Sequence, residues 1–238
     1  MSAEACLALL LDAPLQSWGH ASRFERRTTA LHPTRSAILG LVAAALGIDK
    51  YADDEAAQLA RLAPLRLTTV TLPRRTTRNQ ELPIRRLEDY HTVTGIRRAS
   101  GKVAPDATVQ TYRHYLLDAR FGALLEGPDA LLAEIAAALR NPVWGVWFGR
   151  KCCLPASPVL VAPPGPRTEA WAALMRRAGY PADEPLTRFA HVSETTPDTP
   201  GAEVIDDNPI GYGRPIGDRH RPRWITSHPR VAAETPDP

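Results

Sequence analysis

The chain has 238 residues, 44% of them hydrophobic, enough to bury the core of one large domain or two small ones. Its formal charge is +3, from 29 basic against 26 acidic residues, with lysine only at Lys50, Lys102 and Lys151. No apolar run reaches the ~18 residues of a membrane span, and the short run at 7–11 lacks a preceding basic segment, so the reading is a cytoplasmic protein with no membrane attachment.

Cys6, Cys152 and Cys153 fit neither a disulfide framework nor a zinc site and read as free, mostly buried thiols. The arginine bias favours bidentate phosphate contacts and stacking. Coding pressure in a GC-rich genome accounts for it equally well.

Residues 5–11 are an apolar run closed by Asp12, Ala13 and Pro14, a buried mid-sheet strand ending in a loop. Thr34 or Ser36 can cap a helix whose apolar positions Ile38, Leu39, Leu41, Val42, Ala45 and Leu46 recur at helical spacing up to Gly47. Residues 65–72, LRLTTVTL, alternate as a strand, and 73–86 carry Arg74, Arg75, Arg78, Arg85 and Arg86 as a basic, exposed connection.

Two β-prone runs, 90–94 and 108–117, flank GIRRASGKVAPDA and predict a protruding hairpin with a basic tip. The second run continues into FGALLEG, Asp129 caps a helix through Arg140, and 143–148 returns as an aromatic strand. The resulting α+β order, βαββαβ, is the ferredoxin-like split arrangement, whose open sheet face RNA-recognition modules set against RNA. Order alone leaves function open.

The first domain is therefore read over 1–155. Beyond it, prolines cluster at 163–166 and 197–200 around a helical stretch near 168–178 and β-prone pieces such as 186–192. This predicts a smaller, irregular, β-rich C-terminal domain over 156–238 with a disordered tail from 229.

APLQSWG at 13–19 and PTRSAILGLVAAALGI at 33–48 are joined by a loop holding Arg23, Arg26 and Arg27. Free backbone N–H groups and the positive dipole end at that helix start, beside Arg35 and Ser36, would receive a phosphate; simple capping accounts for the same residues. LEDYHTV at 87–93 and TVQTYRHYL at 108–116 bring Tyr90, His91, Tyr112, Arg113, His114 and Tyr115 to the base of the hairpin. Aromatic and guanidinium planes can stack unpaired bases there, or the tyrosines can pack in a sheet. Alternation puts Tyr112 and His114 on one face, so the set cannot line a single surface.

Arg150 and Lys151, in FGRKCCLP at 148–155, sit where the chain leaves the sheet, as a lone basic pair. His91 and His114 are the one couple with a place in acid–base RNA cleavage, but no lysine accompanies either on its strand. Gly211-Tyr212-Gly213 follows no strand and opens no helix, so dinucleotide binding has no support, and with no P-loop or metal-ligand cluster in the sequence no cofactor or metal is expected. Arg214, Arg219, Arg221 and Arg223 near Trp224 read as a mostly solvated face.

QSWG at 16–19, PTRSAILGL at 33–41, LEDYHTVTG at 87–95, VQTYRHYLLDA at 109–119 and GRK at 149–151, in this order, closely resemble the CasD family. These are RAMP-superfamily subunits of type I-E CRISPR Cascade complexes. The resemblance implies a ferredoxin-like (RRM-like) N-terminal domain with a hairpin thumb, about 88–117, that grips the 5′ handle of the CRISPR RNA (crRNA) without cutting it. It implies a place in a ribonucleoprotein of antiviral defence. Its partners there are crRNA, the backbone subunit CasC whose filament it caps, the large subunit CasA, and target DNA through the complex; precursor cleavage falls to CasE.

By the same resemblance Arg113 is the thumb-strand arginine wedged against a displaced handle base, with Gln110 and Tyr112 beside it and Tyr90 and His91 on the paired strand. Arg35 and Ser36 mark a helix start where handle phosphates are expected, and Gln16, Ser17 and Trp18 the neighbouring loop. The chain departs from the family at CCLP after residue 151 and in a proline-rich stretch at 193–201. It also lacks the Lys–His pair of processing relatives, which argues for binding. The competing reading is a metal-independent endoribonuclease that processes precursor crRNA.

Overall fold

Strand β1 (Glu4–Asp12) is buried at every position from Ala5 to Leu11, because side chains on both of its faces are covered. Leu7, Leu9 and Leu11 point one way, into a core with α1 (Arg35–Leu46) and α3 (Asp129–Arg140). Cys6, Ala8 and Leu10 point the other way, onto Leu174 and Met175 of α4 (Arg167–Arg177). The computed structural model describes residues 4–19, 25–97, 101, 103–213 and 220–230, without the side chains of 103–107. Arg23, Arg214, Arg219 and the expected tail from 231 lie outside the described residues.

After β1 the chain forms the short strands β2 (Leu15–Gln16) and β3 (Arg26–Arg27), then α1, α2 (Glu55–Ala60) and β4 (Arg66–Thr71). Two long strands follow, β5 (Arg85–Arg97) and β6 (Val103–Leu117), then β7 (Arg120–Pro128), α3 and α4. A 3-10 turn at Leu186–Arg188 leads into β8 (His191–Thr195), β9 (Glu203–Pro209) and β10 (His220–His228). The larger sheet runs β1-β7-β4-β8-β10-β9 with every neighbouring pair antiparallel. No described helix is long and apolar enough to cross a membrane.

Helix α1 is built as its sequence dictates: Thr34 Oγ1 accepts from Ala37 N (3.3 Å), and Gly47 closes it at φ 76°. Asp129 is the first helical residue of α3 rather than its cap, and its charge sits at the positive dipole end.

The aromatic segment 143–148 is not a strand, which corrects the expectation above. Val143 and Trp144 donate their N–H groups to Ala45 O (3.0 Å) and Ala44 O (3.2 Å), satisfying orphan carbonyls at the end of α1. The place beside β1 is taken by residues 156–165, through Leu10 N to Val159 O (2.8 Å), Val161 N to Ala8 O (3.1 Å) and a reciprocal pair between Cys6 and Gly165. Pro158, Pro163 and Pro164 lack donors, so only isolated antiparallel bridges form there.

The second sheet centres on β6, which carries β5 along one edge and β2 and β3 along the other. The β5–β6 ladder extends from Arg85↔Leu117 to Arg97↔Val103, with a register shift at Gly95 (φ 64°), so much of the sequence taken for a tip is strand. Of the remaining connection, residues 98–100 and 102 lie outside the described residues. Asp118, at φ 50°, separates β6 from β7, and FGALLEG begins a new strand in the other sheet instead of continuing β6.

The 73–86 connection is exposed over most of its length, as expected, including Arg78, Arg85 and Arg86, but its first arginines are tied down: Arg74 pairs with Asp12, and Arg75 pairs with Glu81 (3.8 Å) while lying 4.3 Å over the Tyr180 ring. The larger sheet also runs across the boundary expected at 155, because β8 pairs with β4 at Thr68↔Ser193, Thr69↔Val192 and Val70↔His191.

Candidate nucleic-acid interface

The loop at 13–19 is held from within. Gln16 is fully buried, and its Nε2 donates to Leu11 O (2.9 Å) and Ala119 O (2.6 Å). Ser17 donates its hydroxyl to His114 O (3.3 Å) and its N–H to Phe148 O (3.0 Å). Trp18 packs between Phe121 and Phe148 at ring distances of 6.4 and 5.8 Å. Gly149, at φ 93°, lets the FGRK segment close on this loop, since a Cβ there would lie 1.7 Å from Ser17 O. Gln16, Ser17 and Trp18 are therefore buried core supports, with little surface left for an RNA contact.

Arg35 is likewise turned inward at 3% exposure. Its guanidinium donates to Leu65 O (2.7 Å), Glu194 Oε1 (2.5 Å) and Asn208 Oδ1 (2.9 Å), while its backbone N–H donates to Asp207 Oδ2 (2.7 Å). Arg223 completes the knot by pairing with Asp207 and, at 3.2 Å, with Glu194. Ser36 Oγ lies 2.9 Å from His220 Nε2, and the Tyr212 hydroxyl donates to Ser36 O (2.6 Å). The helix start meets β9 and β10 in place of an external phosphate. Arg35 is an internal fastener, and Arg223 belongs to this knot instead of a solvated face.

The open surface is the hairpin. In the β5–β6 register Glu88 faces His114, Tyr90 faces Tyr112, and Thr92 faces Gln110, which places these six on one side of the ladder. The Tyr90 and Tyr112 rings lie 5.4 Å apart at 50°, and Tyr90 is 54% exposed. Parallel pairing of Arg26 with Tyr112 sets the Arg26 guanidinium 5.0 Å over that ring. The strip thus combines exposed aromatic faces, a stacked cation and amide and hydroxyl groups, the surface that unpaired bases stack on.

The opposite side of the ladder carries Asp89 with Arg113 and His91 with Thr111. Arg113 Nε donates to Thr111 Oγ1 (3.1 Å), and Arg27, its neighbour in register, is exposed. Arg150 braces this side, donating to His114 O (2.9 Å) and Arg27 O (2.8 Å) and lying 4.5 Å over the Tyr115 ring. Burial raises the Tyr115 phenol above its ordinary range, and Cys152 Sγ lies 3.6 Å from its hydroxyl. Exposed Lys151 lies 5.6 Å from the Trp147 ring.

His91 and His114 thus occupy opposite sides of one ladder. The residues that sequence reasoning missed are Glu88, which touches both His114 (2.7 Å) and Arg26 (3.8 Å), and the Glu194–Asp207–Asn208 set around Arg35. The directly opposed pairing of Glu88 with His114 could have been found by aligning the two runs from Tyr90 and Tyr112. Nothing local marks the other set.

A mixed α/β protein with mostly antiparallel sheets and a long aromatic hairpin can now be placed. The family described as CRISPR-associated protein (Cas_Cas5) matches residues 6–231, and the chain belongs to it. The CRISPR system Cascade subunit CasD of Escherichia coli (strain K12) is 34% identical over 150 residues, covering 62% of this chain and 66% of that protein, just under two thirds of its length. A solved CRISPR RNA-guided surveillance complex contains a chain of 27% identity and TM-score 0.70, with 94% of this chain and 90% of that one covered. A second structure, described as the crystal structure of a Cas protein, is 28% identical with TM-score 0.54 over 94% and 95% of the two chains.

Proposed function

We propose that this chain is a non-catalytic subunit of a type I-E CRISPR Cascade surveillance complex that binds the 5′ handle of the crRNA in the cytoplasm. It caps the CasC-type backbone, contacts the CasA-type large subunit and meets target DNA only through the complex. β1, α1, β4, β7, α3 and the 156–165 segment read as the ferredoxin-like βαββαβ unit, with 156–165 as last strand, and β5–β6 as its thumb.

The observation that carries this reading is the exposed strip of Tyr90, Tyr112, Gln110 and Arg26 on a ladder whose reverse side bears Arg27 and Arg113. Aromatic planes take unpaired bases and guanidinium groups take phosphates, so the hairpin can hold single-stranded RNA from both sides. The division of His91 and His114 between the two sides supports binding over cleavage, since acid and base must reach one phosphodiester.

Chelator-treated protein incubated with labelled CRISPR repeat RNA tests this, with cleavage followed on a gel and binding by mobility shift. Handle-bearing RNA is expected to shift without being cut, and RNA of scrambled 5′ sequence to bind more weakly. A discrete cut that generates the handle would make the chain a processing nuclease; equal binding of the scrambled RNA would make it a general single-strand binder.

A further inference from the structure

Glu88 places one carboxylate oxygen, Oε2, between two groups suited to hold an anion: His114 Nε2 at 2.7 Å and Arg26 Nη1 at 3.8 Å. The residue lies on an exposed ladder beside Tyr90 and Tyr112, and its carboxylate faces the groups that would be most useful to RNA. The Arg26 side chain is 70% exposed and Glu88 is 49% exposed, so an approaching strand can reach both. We propose that Arg26 and His114 form a backbone-phosphate subsite beside the Tyr90–Tyr112 platform, and that the Glu88 carboxylate is its built-in competitor.

This inference rests on the RNA-binding reading above. A phosphodiester presents two anionic oxygens with the same demand for N–H donors as a carboxylate, so it can replace Glu88 on the same pair. Exposed ion pairs are weak, and a ligand that also stacks on the tyrosines displaces the carboxylate readily. The device lowers affinity for any isolated phosphate and favours a strand that supplies phosphate and base together, which sharpens selection without a base-specific hydrogen bond.

Removing the competitor while keeping its shape exposes the mechanism. Handle RNA should bind Glu88→Gln about three- to fivefold more tightly than wild type, the strength of one exposed ion pair expressed as affinity. The slope of log affinity against log salt should steepen by about 0.7, one further phosphate neutralised on a single strand. The gain should vanish when Glu88→Gln is made in an Arg26→Ala/His114→Ala background, and Glu88→Ala should behave as Glu88→Gln does. Far-UV circular dichroism verifies each fold.

Wild-type binding with no gain in either neutral variant overturns the competitor and leaves the RNA-binding reading in place. A gain that persists without Arg26 and His114 does the same, since it would come from long-range charge. Failure of wild type and both neutral variants to bind handle RNA overturns the underlying reading as well.

Discussion

Three donors of the Arg35 guanidinium are bound to protein oxygens at 2.5 to 2.9 Å, two of them on residues of β8 and β9. Replacing it with alanine leaves the Leu65 carbonyl and Asn208 amide oxygen without their donor and the Glu194 carboxylate with Arg223 alone. We expect Arg35→Ala to lower unfolding stability in urea by about 3–5 kcal/mol, the effect of breaking a buried pair from one side. Arg35→Lys should not restore it, because an ammonium lacks the planar fork that reaches Asn208, Glu194 and Leu65 together. Unchanged stability with weakened RNA binding would return Arg35 to a ligand role. Thr34 and Gly47 were legible as caps because capping is local, whereas the inward turn of Arg35 was not, since Glu194, Asp207 and Asn208 lie 159, 172 and 173 residues away.

The hairpin β5–β6 couples a rigid ladder to an exposed face. Tyr90 and Tyr112 contact each other across it, yet Tyr90 remains open, so its ring is available to a ligand. Tyr112→Ala should weaken handle RNA binding by about 1–3 kcal/mol, the loss of one stacked base. Thermal stability should change little, and a melt beside a mobility shift checks both. A lowered melting temperature with unchanged binding would make these tyrosines packing residues. The two β-prone runs revealed the hairpin and alternation revealed its faces, but ladder pairing through the Gly95 bulge absorbed much of the Gly-containing string that reads as a tip. The aromatic run 143–148 misled for a related reason: β-propensity says nothing of where an N–H goes, and here Val143 and Trp144 close the end of α1.

Across the whole molecule, residues beyond 155 complete both the sheet and its second covered face. Cys6, Ala8, Leu10, Leu72 and Leu124 pack on Ala170, Leu174, Met175 and Phe189, and the Arg35 knot ties α1 to β8 through β10. A chain ending at 155 would expose that face and the open edge of β1. It should aggregate or unfold without cooperativity in circular dichroism and size-exclusion experiments. A cooperatively folding monomer would instead show 1–155 to be an autonomous domain. This continuity was hidden in the sequence because prolines at 158, 163 and 164 disguise the segment beside β1, and because no local pattern specifies that β8 pairs with β4.

Photocrosslinking can show whether the three-strand surface of β5, β6 and β3 holds the crRNA handle, as proposed. Full-length protein bound to handle RNA carrying 4-thiouridine would be irradiated, digested and mapped by mass spectrometry. Crosslinks are predicted in peptides of Arg85–Arg97 and Val103–Leu117 and around Arg26 and Arg27, with Tyr90 and Tyr112 foremost. Crosslinks confined to α4 or to β8 through β10, with the hairpin unlabelled, would contradict the account.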